Sequence, residues 1–146
     1  VPDREYVKPE LTGFRNQWFS QWHRTNLPSD FWTFDLDMMW WIEANRYEPI
    51  ALLEVKRDNA PAQSLASDSA QLTVMRRLCD RAALPLFLVV YTPAKDPVFL
   101  VSGQNDRGRA ALIDITHMRA DIYRMWTPGF VCFESRIRTS ARDYAA

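Results

Sequence analysis

The stretch Ile50-Ala51-Leu52-Leu53-Glu54-Val55-Lys56 leaves this chain the fewest choices. Its branched aliphatics read as a strand. Side chains alternate along a strand, so Ile50, Leu52, Glu54 and Lys56 share one face and Ala51, Leu53 and Val55 the other. Both faces begin apolar, as in a strand covered on two sides. Two charges then close one face. A buried charge is costly unless it is paired or holds a metal. An acid and a lysine at the end of a core strand therefore demand partners from elsewhere in the chain.

The residues just before it supply acids. Residues 31–43 are strongly β-prone and are followed by a turn at 44–49, so an antiparallel hairpin with 50–56 is the simplest reading. Asp35 and Asp37 share one face of that first strand, again two residues apart in an apolar setting. Pairing would gather one or two aspartates, a glutamate and a lysine at one sheet edge. Carboxylate oxygens suit a hard cation such as Mg²⁺ or Mn²⁺, and no His/Cys cluster points to zinc. A cation on carboxylates activates water and neutralises charge on a phosphoryl group. A nearby ammonium positions that water or stabilises developing negative charge. Phosphodiester hydrolysis needs those functions and no His or Ser nucleophile. The plainer alternative is a cross-strand salt bridge from Asp35 or Asp37 to Lys56. Such a pair is worth little at a surface, and it does not require three or four charges in apolar strands.

Further elements follow from periodicity and turn chemistry. Residues 1–9 read as an arm, and apolar residues from Glu10 to about Thr25 recur at helical spacing. A helix is expected from a cap at Ser67 or Asp68 to about Ala83, with Leu72, Met75, Leu78, Cys79 and Ala82 inward. Leu86–Tyr91 and Val98–Ser102 read as a strand pair across a proline-bearing turn, and Gly103–Arg109 as a polar loop. Thr116–Trp126 reads as a helix and Phe130–Phe133 as a last strand, with 135–146 frayed or helical. The expected class is α/β, a mixed central sheet flanked by helices in one domain over residues 1–146.

Charge matters by its distribution. The net charge is zero, which argues against a strong nucleic-acid binder, but residues 1–73 carry seven basic and eleven acidic side chains and residues 74–146 the reverse. Ten of the latter eleven bases are Arg, the residue suited to forked phosphate contacts. Arg76, Arg77 and Arg81 on the second helix and Arg107 and Arg109 in the loop are the candidates to touch phosphates. A solvated, Arg-rich surface is the alternative. Cys79 and Cys132 have no metal spacing, which fits a reducing, cytoplasmic setting. No signal peptide and no apolar run near a membrane-spanning length is seen.

Asp37, sixteen residues, then Glu54-Val55-Lys56 resembles the PD-(D/E)XK nuclease superfamily, also called restriction-endonuclease-like. The resemblance extends over residues 10–102 in element order: a helix, a hairpin bearing the acids and lysine, a helix, a further strand. The leading Pro-Asp of the family is missing, since Asp35 follows Phe34 and Asp37 follows Leu36. The resemblance implies a restriction-endonuclease-like core that cuts nucleic acid with Mg²⁺. It implies that Asp37 and Glu54 are metal ligands with the Val55 carbonyl, and that Lys56 is the catalytic lysine. Asp35 competes with Asp37 for the aspartate role or adds to it. Glu10 resembles the helix-borne glutamate of Holliday-junction-resolvase-type members, or serves as a favourable acid at a helix start. Gln71 falls where some relatives place a site glutamine, or closes a capping box with Asp68. By the same analogy the substrate is DNA more than RNA and is chosen by structure, and the protein works as a homodimer or in a larger complex. A module of this fold that binds nucleic acid or a protein without cutting is the alternative.

Overall fold

A computed structural model describes residues 18–28, 36–43, 47–116 and 122–145. The chain divides into two units, Val1–Asp35 and Leu36–Ala146. In the first, helix α1 spans Trp18–Asn26. Its last turn is closed by Asn26, whose side-chain amide donates to the Trp22 carbonyl at 2.8 Å. Glu10 and the start of the expected helix lie outside the described residues.

The second unit runs β1 (Met38–Ile42), β2 (Glu48–Arg57), α2 (Ala62–Leu65), α3 (Ala70–Ala82), β3 (Leu86–Thr92), β4 (Val98–Gly103), α4 (Asp106–Thr116), β5 (Ile122–Trp126) and α5 (Thr127–Ala145). The strands form one sheet in the order β1-β2-β3-β4-β5. Only the β2/β3 pair is parallel; the other three are antiparallel. A parallel pair needs a crossover, and α3 lies in it. The class is the expected one: α/β, with a mixed sheet flanked by helices.

The two faces of β2 bury different things. Ala51 and Leu53 join Phe87, Val89, Val101, Tyr123 and Met125 in a core closed by Leu112 of α4 and Phe133 and Ile137 of α5. Leu52, Leu86 and Leu88 are buried on the other face, where α3 turns Leu72, Met75 and Cys79 inward. Burial lifts the Cys79 thiol to about 11, so it stays protonated and inert. Ile50 departs from simple alternation and packs in the α4/α5 core. The cause is a bulge: Trp40 pairs with Ala51 but Trp41 with Pro49, so Ile50 is an extra residue. Two successive residues at such a bulge lean to the same side.

The structure corrects several expectations. α3 is capped by Ser69, whose side chain accepts from the Leu72 amide, so neither Ser67 nor Asp68 is the cap and no Asp68–Gln71 box forms. Leu78 and Ala82 face outward, Leu78 being 45% exposed, because the inward stripe is the narrower Leu72–Met75–Cys79 line. Most of the expected 103–109 loop is the beginning of α4. The end of the expected 116–126 helix is strand β5, with Tyr123 and Met125 buried and Arg124 and Trp126 exposed. That alternation has period two, and it competes with the helical spacing of Ile122, Met125 and Trp126 in so short a window. The expected strand at 130–133 lies inside α5, where Phe130, Phe133 and Ile137 recur at helical steps. Pro128 in its first turn suits a helix start.

The polar segment 103–109 was opaque because its hydrogen bonds are tertiary. Asn105 is 2% exposed. Its side-chain oxygen accepts from the Leu86 amide at 3.0 Å and the Gly108 amide at 2.8 Å. Its side-chain nitrogen donates to the Leu84 carbonyl at 2.8 Å and to Asp80 at 3.1 Å. One side chain thus caps α4 and ties it to the end of α3 and the start of β3. Gly108 is required there: a Cβ would stand 2.4 Å from the Leu86 carbonyl oxygen.

Candidate metal and catalytic site

Glu54 is 1% exposed, on the α3 face of β2. Lys56 shares that face, and its ammonium lies 2.6 Å from Glu54 Oε1. The contact is close but not aligned as a hydrogen bond, and Glu54 Oε2 has no partner among the described residues. Burial pushes the Glu54 carboxyl above its ordinary value. Lys56 pulls it back down, and the negative charge of Asp37 pushes it up again. A buried carboxylate with an unsatisfied oxygen is expensive to keep ionised, and a bound cation removes that cost.

Asp37 sits one residue before β1. Met38 pairs with Leu53, so the register carried one step further sets Asp37 opposite Glu54. Its Oδ2 accepts from the Val55 amide at 3.0 Å. That bond fixes the carboxylate beside Glu54, within hydrogen-bonding reach of it. Within a strand, the N–H and C=O of one residue point to the same side. The Val55 carbonyl therefore faces the edge where Asp37 lies, past the last β1 pair. Asp37, Glu54 and the Val55 carbonyl supply hard oxygen donors of the kind that hold Mg²⁺ or Mn²⁺. Among the described residues no group of three or more His, Cys, Asp and Glu side chains is placed for a metal. Asp35, the further candidate, lies outside them.

Gln71 reaches the site from α3. Its Oε1 accepts from Lys56 Nζ at a long 3.4 Å. With the capping box excluded, this contact is the role the structure gives it. Lys56 is thus held between a buried acid and a neutral amide, with 22% of its side chain exposed.

The five arginines separate. Arg77 and Arg81 are exposed one turn apart on α3; Arg81 continues the line of Gln71, Val74 and Leu78, and Arg77 lies further round the helix. Arg107 is exposed at the start of α4. Arg109 pairs with Asp106 at 2.5 Å on the same helix. Arg76 turns inward: Nε donates to the Gln104 carbonyl and a terminal nitrogen to the Ser67 carbonyl, both at 2.7 Å. Sequence reasoning missed Gln104 and Ser102 altogether. Both are buried at the end of β4, and their amide–hydroxyl bond is 2.8 Å. The one signal was an apolar strand that ends in Ser102, two residues before Gln104.

No helix among the described residues is long and apolar enough to cross a membrane. Compared with known proteins, the chain matches no family model, no curated protein and no solved structure.

Proposed function

We propose that this chain is a metal-dependent nuclease of the PD-(D/E)XK type, hydrolysing phosphodiester bonds in nucleic acid, DNA before RNA, with the substrate chosen by its structure. The observation that carries the reading is Glu54: a buried carboxylate whose Oε2 has no hydrogen-bond partner among the described residues, facing Asp37 across a hairpin and Lys56 along its own strand. The order of elements supports it, since a hairpin bearing Asp37 and Glu54-Val55-Lys56 is followed by a helix and a parallel strand. Asp37, Glu54 and the Val55 carbonyl would hold Mg²⁺, or Mn²⁺ in its place. Such an ion, when bound, supplies water activation and charge neutralisation at the phosphoryl group. Lys56 orients the attacking water and stabilises negative charge developing on the phosphate. Gln71 steers that ammonium, and the Val55 amide holds Asp37 in place.

The test is cleavage of linear, supercoiled, single-stranded, branched and RNA substrates with Mg²⁺ or Mn²⁺. Lys56→Ala is expected to slow cleavage by about 10²–10³-fold, with nucleic-acid binding changed little. Cleavage at the wild-type rate in this variant would remove Lys56 from the mechanism. Arg77 and Arg81 are exposed on α3, whose outer stripe starts at the site. Replacing both with Ala is expected to weaken binding uniformly across sequences and to reduce the salt slope of binding by about 2. Anisotropy titrations over a range of salt read this directly. An unchanged slope places the phosphate contacts elsewhere.

A second reading, a module of this fold that binds without cutting, is favoured by one observation. Only Asp37 and Glu54 among the described residues come forward as acidic ligands, short of a three-residue group. Binding without cleavage under every metal and substrate condition would establish it.

A further inference from the structure

Beside the acidic pair lies a cavity of about 810 Å³ that none of Asp37, Glu54 and Lys56 lines. Its floor is Leu88 and Val90 of β3 and Leu100 and Ser102 of β4. Leu88 and Val90 are the register partners of Glu54 and Lys56. The cavity therefore begins one strand spacing, roughly 5 Å, from the two charges and on the same face of the sheet. Its size falls within the range of small-molecule sites.

The walls have a definite chemistry. The floor is mostly aliphatic. Arg76, Gln104 and Ser102 converge, and Arg109 and the carboxylates of Asp58 and Asp68 also line the cavity. Arg76 is half-buried and locked by two backbone carbonyls. No carboxylate among the described residues lies within ion-pair distance of it, so its charge is fixed in place and not neutralised. Two of its five N–H groups are used, and the rest are open to an acceptor. Gln104 is 6% exposed, and its side-chain nitrogen donates to Ser102 while its oxygen has no partner among the described residues. A serine hydroxyl donates or accepts, so turning the amide over keeps the Ser102 bond and strands the nitrogen instead. In either orientation one end of a buried amide is left unsatisfied, which is costly in an empty protein. A ligand matching the Arg76 side of this cavity has an apolar body over the aliphatic floor, a polar edge and an anionic group.

We propose that the cavity receives one nucleotide of the substrate, lifted from its stack beside the bond that is cut. The base lies on Leu88, Val90 and Leu100, its edge meets the Gln104 amide, and Arg76 takes a phosphate. This rests on the hydrolysis reading above, because it makes the cavity a subsite of that reaction.

The probes are the four deoxynucleoside 5′-monophosphates and inorganic phosphate, titrated into metal-free protein by calorimetry. At least one nucleotide is expected to bind, about tenfold tighter than inorganic phosphate. Leu100→Trp fills the cavity from the sheet and Thr73→Phe from α3. Either variant that melts like wild type is expected to weaken nucleotide binding by about tenfold or more. On DNA, a single abasic residue stepped along the strand is expected to slow wild-type cleavage at one position, and to have no such effect in a filled variant. A protein that cleaves but binds no nucleotide, or binds it equally well when filled, overturns the cavity assignment and leaves the nuclease reading standing. Nucleotide binding lost on filling, in a protein that never cleaves, supports the cavity as a nucleotide site and removes the hydrolysis reading. Free nucleotides that bind while no abasic position matters overturn the placement of a substrate nucleotide there.

Discussion

Replacing Glu54 with Gln is expected to slow cleavage by about three orders of magnitude, the scale on which removal of one well-placed polar contact at a reacting group is felt, and to make the metal-free protein more stable. Both effects come from one cause. Glu54 is 1% exposed, and its Oε2 has no hydrogen-bond partner among the described residues. Gln has the same shape and no charge to desolvate. The gain is relief of the charge's desolvation, on the order of 1–3 kcal/mol, and the new amide can donate to Asp37, which repels the carboxylate. The pH dependence gives the sign. Burial raises the Glu54 carboxyl above its ordinary 4.5. A raised folded value means that the folded state holds the proton more tightly. The stability so gained is fully present below 4.5 and is lost as the pH rises through the raised value. Wild-type melting temperature should therefore fall with pH over that window, Glu54→Gln should lack this component, and Mg²⁺ or Mn²⁺ should stabilise the wild type alone at neutral pH. The opposite pattern is equally legible. Breaking a structural buried ion pair costs about 3–5 kcal/mol. A Gln variant that loses that much, with no metal-linked shift in wild type, would reduce Glu54–Lys56 to a salt bridge.

Asn105→Ala is expected to cost about 4 kcal/mol without touching the chemistry. The substitution strands the Leu86 and Gly108 amides and the Leu84 carbonyl together and removes the cap of α4. An orphaned buried group costs about 1–3 kcal/mol and a lost cap about 1 kcal/mol. Against a total of roughly 5–15 kcal/mol this leaves little margin. Asn105→Ser keeps a cap oxygen and should recover about 1 kcal/mol of the loss. Urea unfolding of the three proteins measures both. A loss below about 1 kcal/mol would show that the neighbouring groups find water, and that Asn105 does not organise this corner.

The parts of the fold that were legible in the sequence are those with one dominant signal. β2 announced itself by apolar residues on both faces, and Glu54 and Lys56 stood out against them. The hairpin with β1 and the β3/β4 pair followed from short turns. The C-terminal third was not legible, because residues 122–137 hold short apolar runs that satisfy both periods at once. Only packing decides there: Tyr123 and Met125 meet the sheet core, and Phe133 and Ile137 cover it. The candidate site divides in the same way. Spacing along one strand or across one turn revealed Glu54, Lys56 and Asp37. Arg76 has the same local signature as Arg77, one residue on, and only the tertiary carbonyls of Ser67 and Gln104 turn it inward. Gln104 and Asn105 looked like loop residues because their partners lie in other elements.

The extra residue at Ile50 makes the acidic pair a matter of parity. With the bulge, Asp37 falls opposite Glu54. Continued without it, the register of Trp41 and Pro49 would put Asp37 opposite Leu53, on the α4/α5 face. A one-residue slip turns every side chain over. Deleting Ile50 itself would remove the bulge and, because Pro49 would then precede Ala51, keep Trp40 on Ala51 and Asp37 opposite Glu54; it is Ile50 joining the ladder that would turn the aspartate into the hydrocarbon core. The chain thus holds its two carboxylates together by leaving one residue out of the ladder. Loss of Ile50 should therefore be tolerated at the site, and loss of one residue between Asp37 and Trp40 or between Ala51 and Glu54 rejected.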